Sequence, residues 1–503
     1  MGLTAEGCSV VGSFAPATTG EALAVAERTP ACIHVVEVRL DAFEGTPDFA
    51  SLRRAFTGKT LLATLRSRAE GGAFSGSREE MKRVLSQALA AGFDLVDVEW
   101  RGGEGRDLLG FDAPATVLSS HDHAGLPAAL DSLCDGMLRT GARHVKIVGT
   151  AHDSRDALRL LAFQRRRADG RVSAFAMGEP GVATRILGPY LGAALSYGSL
   201  VSGRATAPGQ VPAHDLCDLY GVGRRREVER VYALLAGFVS HSLSPAIHNG
   251  NFEAGGDPAL YVPFALGSLL TEFDALVLGL DGCGLPLKGA SVTIPFKEEA
   301  ATVAVFRGES VANTLLRHGE AYSAANTDRV ALASMTPLAV PGTRALVLGA
   351  GATARTAVEV LISRRYDVSL WSREPVKAHD AAEQLGVGFL ANLSESVPRF
   401  GLLVNATPVG LKDEDPLPCP EYLLHEEMVV IDAPYRAGGT ALARRARERG
   451  ATVHDGFELL LAQAAKQAEL FTGRPTGTLD LLARMPERYR RLFEPADGVE
   501  VNA

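Results

Sequence analysis

Cysteine is scarce and scattered in this chain. Its six residues, at positions 8, 32, 134, 217, 283 and 419, include no CxxC pair. That argues against a disulfide framework or a zinc site and fits a reducing cytoplasm. Long apolar runs are missing as well, because Arg, Asp or Glu interrupts each one short of membrane-spanning length. Positive charge is not in excess: 51 Lys and Arg stand against 59 Asp and Glu, a net charge of -8. Nothing in that balance favours a nucleic-acid partner. The opening MGLTAEGCSVVGSF lacks a basic region followed by an apolar core, is not Arg/Ser-rich, and has Glu6 where myristoylation requires Ser or Thr. The expectation at that end is no signal peptide, transit peptide or lipid anchor.

What is present is a globular composition, 46% hydrophobic and 22% charged over 503 residues. That length suits two or three domains. The first part repeats one pattern. Short β-branched runs occur at 8–14, 34–40, 61–67, 94–100, 116–122, 144–150, 171–178 and 193–199, many separated by helix-like stretches such as 78–92 and 154–170. Eight strands alternating with helices indicate a parallel (β/α)8 barrel. Such barrels carry their active site at the carboxyl ends of the strands. The charged residues fall there: Glu37 and Arg39 late in the second run, Arg66 ending the third, His121 ending the fifth, and Arg185 just past the seventh.

Lys146 lies inside the sixth run, flanked by Val145, Ile147 and Val148. Two readings are open. A lysine desolvated in the barrel interior would be held as the nucleophilic amine. Alternatively, its stem packs in the wall and its head snorkels out.

A seam of different composition follows, from Ser202 to Gly250. It starts with the polar segment SGRATAPGQ, continues as a run with helical character over 211–237 that holds Arg224-Arg225-Arg226-Glu227, and ends in FVSHSLSPAIHNG. Ser242 and Ser244 are spaced so that both hydroxyls can reach one carboxylate. For an isolated SxSP, an ST-turn or N-cap opening the next helix is the commoner explanation. Further on, ASVTIPFK (290–297) reads as a strand stopped by Pro295, with Lys297 beyond it, then Asn313-Thr314 and Asn326-Thr327-Asp328. In 343–362 an apolar strand ends in Gly349-Ala350-Gly351 and a helix opens through Ala352 to Ala354. That is the context a dinucleotide-binding loop requires. A second strand, 367–373, ends in Arg373 where NAD-binding folds place an acid. An arginine there favours the 2′-phosphate of NADP, although Glu374 follows directly.

Two resemblances gather these residues. EVRLD (37–41), TLRSRAEGG (64–72), SSHD (119–122), KIV (146–148), MGEPGVATR (177–185) and TAPGQ (206–210) together resemble type I 3-dehydroquinate dehydratase. The resemblance implies that Lys146 forms an imine with the substrate ketone and that His121 shuttles protons, with Glu37 helping to hold His121 and the substrate. It also implies that Arg185 pairs with the substrate carboxylate, and that Arg39, Arg66, Glu70, Thr206 and Gln210 complete the site. From about Ala233 to Pro475 the chain resembles shikimate dehydrogenase. This implies substrate contacts from Ser242, Ser244, Thr293, Asn313, Tyr435 and Gln463, and a catalytic pair formed by Lys297 and Asp328. Tyr435 and the segment NATPVG (405–410), with Asn405 and Thr407, would lie near the nicotinamide. NADP would be bound by Gly349, Ala350, Gly351, Ala352, Ala354, Arg373 and Lys377.

The expected organisation is a barrel over 1–226, with the boundary near Arg226. An α/β substrate-binding domain follows over 227–335, then a Rossmann-type NADP-binding domain over 336–455 and C-terminal helices over 456–503. The expected function is conversion of 3-dehydroquinate to 3-dehydroshikimate and its NADPH-dependent reduction to shikimate, with no metal. Two alternatives stand beside it. The second half could act on quinate with NAD, or the chain could be a non-catalytic ligand-sensing regulator.

Overall fold

A computed structural model of the chain describes residues 8–102, 108–224, 227–239, 242–305, 310–393 and 398–493. The first seven residues and the boundary expected near Arg226 lie outside the described residues. The chain divides into two compact units, one of 1–245 with 256–288 and one of 246–255 with 289–503.

In the first unit, all eight β-branched runs form strands. They are β1 (Ser9–Phe14), β2 (Val35–Arg39), β3 (Thr60–Thr64), β4 (Leu95–Glu99), β5 (Thr116–His121), β6 (His144–Thr150), β7 (Val172–Met177) and β8 (Leu195–Ser199). Nearly every residue of these strands is buried, whichever face it points to, which suits a parallel sheet covered by helices. They pair in the order β7-β6-β5-β4-β3-β2-β1-β8, a nearly closed barrel. At the seam between β7 and β8 the Leu195 amide donates to Ser173 Oγ at 2.9 Å. Val11, Val35, Leu62, Leu95, Val117 and Phe175 share one buried cluster. The register sets Ser119 beside Lys146 and Ser13 beside Glu37.

The helical reading of 211–237 is corrected. Among the described residues of that run only Ala213–Asp218 is helical, and VYALLA belongs to a strand, β9 (Arg230–Ala236), paired in parallel with β10 (Ala259–Ala265). A short apolar run buried on both faces has no period to tell strand from helix. After β10 comes a helix, Leu269–Gly282, which lies against the barrel helix Ser154–Arg166. Glu272 is the centre of that contact. Its Oε2 accepts from the Ser154 amide at 3.1 Å and the Ser154 hydroxyl at 2.5 Å, and its Oε1 accepts from the Gly267 and Ser268 amides at 2.7 and 3.1 Å. A carboxylate thus caps the first turn of a helix more than a hundred residues away, which the helix dipole favours.

Next along the chain comes an antiparallel run of β11 (Leu287–Val292), β12 (Thr314–His318) and β13 (Ala321–Ala325). A parallel six-stranded sheet follows: β14 (Arg344–Leu348), β15 (Asp367–Trp371), β16 (Gly388–Phe389), β17 (Leu402–Asn405), β18 (Val429–Asp432) and β19 (Thr452–His454), in the order β16-β15-β14-β17-β18-β19. The order reverses between β14 and its two neighbours, and ligands of such sheets bind at that switch point. The last long helix, Gly456–Thr472, meets the helix Thr327–Met335 through a hydrogen bond from the Thr327 hydroxyl to Gln463.

Candidate active sites

The barrel holds a cavity of about 260 Å³ lined by Glu37, Arg39, Arg66, Glu70, His121, Lys146, Arg185, Thr206 and Gln210, all nine of the residues expected there. Lys146 is buried, so its head does not snorkel. Nor is it surrounded by apolar wall, as its flanking residues suggest. Its Nζ lies 3.4 Å from Glu37 Oε1, 3.6 Å from Asp97 Oδ2 and 4.2 Å from the centre of the Tyr197 ring. Neighbours in sequence line the sheet beside a residue, whereas the groups facing it come from strands across the barrel. Both carboxylates have other partners. Glu37 accepts from Ser13 Oγ at 2.5 Å and Thr64 Oγ1 at 2.9 Å, and Asp97 accepts from Ser119 Oγ at 2.6 Å and Arg66 Nη2 at 2.7 Å. Burial alone would raise the Glu37 carboxyl, but the Lys146 charge, the Ser13 hydrogen bond and two arginines outweigh it and hold it at about 2.

His121 Nδ1 lies 2.7 Å from Glu70 Oε2. This corrects the expectation that Glu37 holds the histidine: Glu70 does. Burial, then the positive charges of Arg66 and Lys146, push His121 well below the ordinary imidazole range. Burial, with Glu99 and Asp97 nearby and against the pull of Arg66, lifts Glu70 to about 7. Below about pH 7 the proton of this pair therefore sits on Glu70 and the imidazole is neutral. Gly71, just after Glu70, has φ +79°, and a Cβ there would come within 2.5 Å of the His123 ring.

Arg185 is buried and gives one hydrogen bond, from Nη1 to the Tyr197 carbonyl at 3.2 Å. Its Nε and Nη2 have no hydrogen-bond partner among the described residues. Burial lowers it to about 10. A buried guanidinium with open donors, in a cavity, suits an incoming carboxylate. Arg39 is held by Asp41 through two bonds of 2.9 and 2.8 Å. Gln210 accepts from the Thr206 amide and hydroxyl, and Thr206 meets Ser13 at 3.1 Å.

The second unit has its own charged centre. Lys297 opens a helix, Lys297–Val303, and its Nζ donates to Asp328 Oδ2 at 2.5 Å and to Thr353 Oγ1 at 3.4 Å. Asn313 Nδ2 donates to Asp328 Oδ1 and to Thr327 Oγ1, both at 2.9 Å. Gln463 joins through Thr327, while the neighbouring Gln467 accepts from Ser291 at 2.9 Å and donates to Thr314 at 3.0 Å. Thr293 is half-buried and follows β11 directly, and half-buried Tyr435 packs on Phe457 with ring centres 5.6 Å apart. In the first unit, Ser242 Oγ accepts from the Ser244 amide at 3.2 Å, an ST-turn at the start of the helix Ser244–Ala254.

The loop after β14 fits a dinucleotide phosphate. Gly349 has φ +116°, and a Cβ there would sit 3.1 Å from the Ala406 carbonyl. At Gly351 a Cβ would meet nothing within 4 Å, so the backbone is open to approach, and the helix Ala352–Ser363 begins behind it. Ala350 precedes Gly351, and Ala354 is fully buried on that helix. Arg373 is exposed just past β15, while Glu374 is paired with Lys377 at 2.6 Å.

Residues 14–226 match the family described as type I 3-dehydroquinase, and residues 234–314 match the shikimate dehydrogenase substrate binding domain. A bifunctional 3-dehydroquinate dehydratase/shikimate dehydrogenase, chloroplastic, of Arabidopsis thaliana is 30% identical over 476 residues, which cover 88% of this chain and 78% of that protein. The chain belongs to this bifunctional family. A shikimate dehydrogenase (NADP(+)) of Natronomonas pharaonis is 35% identical over 255 residues, 48% of this chain and 94% of that protein. The solved structure of a dehydroquinate dehydratase and shikimate dehydrogenase from S. pombe is 21% identical, covering 98% of this chain and 99% of that one, with a TM-score of 0.42.

Within the dehydratase half, sequence reasoning passed over Asp41, Asp97, Glu99 and Ser119, which hold or neutralise the arginines and the lysine, and Ser13, which donates to Glu37. Asp97 and Glu99 alternate inward in the run DLVDVEW. Two acids on one face of an otherwise apolar strand were the available signal. Within the dehydrogenase half, Thr353 and Gln467 were missed. Asn405 and Thr407, expected beside the nicotinamide, have their polar atoms engaged locally. Asn405 is fully buried and donates to Asp432 at 2.7 Å and to the Val409 carbonyl at 3.1 Å, and Thr407 donates to Asn405 at 2.6 Å. These bonds hold the turn after β17. No helix is long and apolar enough to cross a membrane, and no cluster of His, Cys, Asp and Glu suits a metal, among the described residues.

Proposed function

We propose that the chain performs two consecutive steps on one cyclic substrate, with the roles of individual residues as follows. In the barrel, the Lys146 amine adds to the ketone of 3-dehydroquinate and water leaves, giving an imine. The imine draws electrons from the adjacent C–H bond, so His121 can remove that proton near neutral pH. Glu70 fixes the imidazole and balances its charge. The C–O bond at the carboxylate-bearing carbon then breaks, the oxygen leaves as water, and hydrolysis frees Lys146 and 3-dehydroshikimate. Arg185 takes the substrate carboxylate through the donors it leaves open. Arg39, Arg66, Thr206 and Gln210 contact the ring hydroxyls. Glu37 places Lys146 rather than His121. The observation that carries this reading is a buried lysine and an under-partnered arginine in the same cavity.

In the dehydrogenase half, Lys297 polarises the ketone and supplies a proton to its oxygen. Asp328 orients Lys297, Asn313 holds Asp328, and Thr353 ties the lysine to the nucleotide-loop helix. NADPH supplies the hydride when bound at that loop. Ser242, Ser244, Thr293, Tyr435 and Gln463 are the remaining substrate contacts, and the four-domain division stated above goes with them. Arg373 binds the 2′-phosphate, and Lys377 neutralises Glu374, which removes the objection Glu374 raises to NADP. Six free cysteines suit a cytoplasmic setting, with small molecules as partners and neither nucleic acid nor membrane.

The test is to supply 3-dehydroquinate and NADPH to the purified chain and follow shikimate formation with NADPH loss. Accumulation of 3-dehydroshikimate without NADPH oxidation would remove the second activity, and unchanged 3-dehydroquinate would remove the first. Running the second step with NADH, and with quinate, checks Arg373 directly: an NADH preference would overturn its assignment.

A further inference from the structure

The Tyr197 phenol has no role in the steps above. It lies in β8 at 2% exposure and lines the barrel cavity. Its ring faces the reacting nitrogen, with Lys146 Nζ 4.2 Å from its centre. Phe175 braces that ring, their centres 5.5 Å apart. The Tyr197 carbonyl accepts from Arg185 Nη1 at 3.2 Å. The ring of this residue thus meets the reacting nitrogen, and its backbone carbonyl holds the arginine that takes the carboxylate. Its hydroxyl is buried with no hydrogen-bond partner among the described residues. A buried donor in that condition is destabilising unless something completes it. Burial, with Glu37 and Asp97 nearby, pushes the phenol well above its ordinary range. It is thus a donor at every working pH.

We propose that Tyr197 is a further catalytic residue of the dehydratase, whose ring face stabilises the cationic imine nitrogen and whose hydroxyl donates to the substrate oxygen that departs. The second role follows from the unpartnered hydroxyl, carried on a residue that lines the same cavity as Lys146 and Arg185. Lys146 fixes the ketone carbon and Arg185 fixes the carboxylate. The departing hydroxyl shares its carbon with that carboxylate and is the substrate oxygen that gains negative charge in the elimination. During elimination the C–H electrons move toward the imine as His121 takes the proton, and the C–O bond breaks. His121 returns a proton so that the oxygen leaves as water. Tyr197 keeps its own proton and contributes a hydrogen bond that strengthens as negative charge grows on the oxygen. A desolvated cation over an aromatic face is held more firmly than one in water.

The proposal rests on Lys146 as the imine lysine, and its test separates the two. Tyr197→Phe keeps the ring and removes the hydroxyl, and Tyr197→Met removes both at similar bulk. In Tyr197→Phe, borohydride trapping of product on Lys146 should match the parent while kcat falls roughly tenfold or more. In Tyr197→Met, trapping should weaken and kcat should fall by about a further tenfold. The dehydrogenase rate of the same molecules, within twofold of the parent, reports folding. A parental kcat in Tyr197→Phe would overturn the hydroxyl's role. Equal trapping and kcat in the Phe and Met variants would overturn the ring's. Absence of any trapped product on Lys146 in the parent would instead overturn the imine reading of the barrel.

Discussion

Each half of the chain sets a lysine beside a carboxylate, and the two pairs are built in opposite ways. Lys146 sits mid-strand, 3.4 and 3.6 Å from Glu37 and Asp97, whose oxygens are bonded more tightly to Ser13, Thr64, Ser119 and Arg66. Lys297 sits at a helix start, 2.5 Å from Asp328. The difference follows from the chemistry. A lysine that must attack a ketone has to leave its counter-ions, so loosely engaged carboxylates keep it placed without trapping it. A lysine that only donates a proton must stay charged and aimed, which a short, direct pair achieves. An arginine in place of each lysine tests this contrast most strongly. Lys146→Arg keeps the charge but cannot form an imine, and should lose the dehydratase by about ten-thousandfold or more, as Lys146→Ala would. Lys297→Arg should retain more of the dehydrogenase than Lys297→Ala, which should lose roughly a hundredfold to ten-thousandfold in kcat. In each case the other activity, assayed in the same sample, should change by less than about twofold. Equal losses for Arg and Ala at 297 would break the comparison.

Arg185 sharpens it next. The dehydrogenase centre satisfies its charges internally, whereas Arg185 is buried with two nitrogens lacking hydrogen-bond partners among the described residues. Arg185→Met should raise KM for 3-dehydroquinate by about a hundredfold, since a bidentate carboxylate contact is lost. The same change should leave the protein as stable or more stable by about 1 kcal/mol, because a desolvated cation is replaced by an apolar chain of similar length. Thermal melting with steady-state kinetics on one preparation checks both signs.

The first unit also carries a contact with no chemistry in it. Glu272→Ala would strand four donors, the Ser154 amide and hydroxyl and the Gly267 and Ser268 amides. We expect a loss of about 2–4 kcal/mol in urea unfolding, with little change in kcat of either reaction. Gly279→Val should act in the same direction, since a Cβ there meets Leu158 at 2.8 Å.

These contacts mark how much of the molecule can be read in its sequence. All eight barrel strands were legible because each is a β-branched run between turns, and the nucleotide loop because its glycines fall between strand and helix. The nine barrel residues lining the cavity were found through ordered motifs. Pairings were not legible. Nothing near His121 says that Glu70 rather than Glu37 reaches it, because the short turn after β3, closed by Gly71, decides that. Glu272 reads as an ordinary helix acid, although a distant helix needs it. VYALLA failed for another reason: burial on both faces erases the period that separates strand from helix.

The smallest expected effect concerns protons, and it also separates the two sites. Glu70 is raised to about 7 in the folded chain from an ordinary 4.5. The folded state therefore holds a proton that the unfolded chain has released, and stability falls as pH rises from about 4.5 to 7. His121 is depressed below 6.5, so the folded state binds a proton less readily there, and stability rises with pH up to 6.5. The two slopes oppose each other below 6.5, leaving Glu70 alone to act between 6.5 and about 7. The parent should lose under about 1 kcal/mol across that narrow window, and Glu70→Gln should abolish the loss. Dehydratase kcat/KM should show a limb near pH 7, rising as the ionised Glu70 comes to accept from His121 and fix its tautomer. Glu70→Gln should erase that limb while lowering the plateau about tenfold. A limb that persists in Glu70→Gln would assign the titration to a group other than this pair.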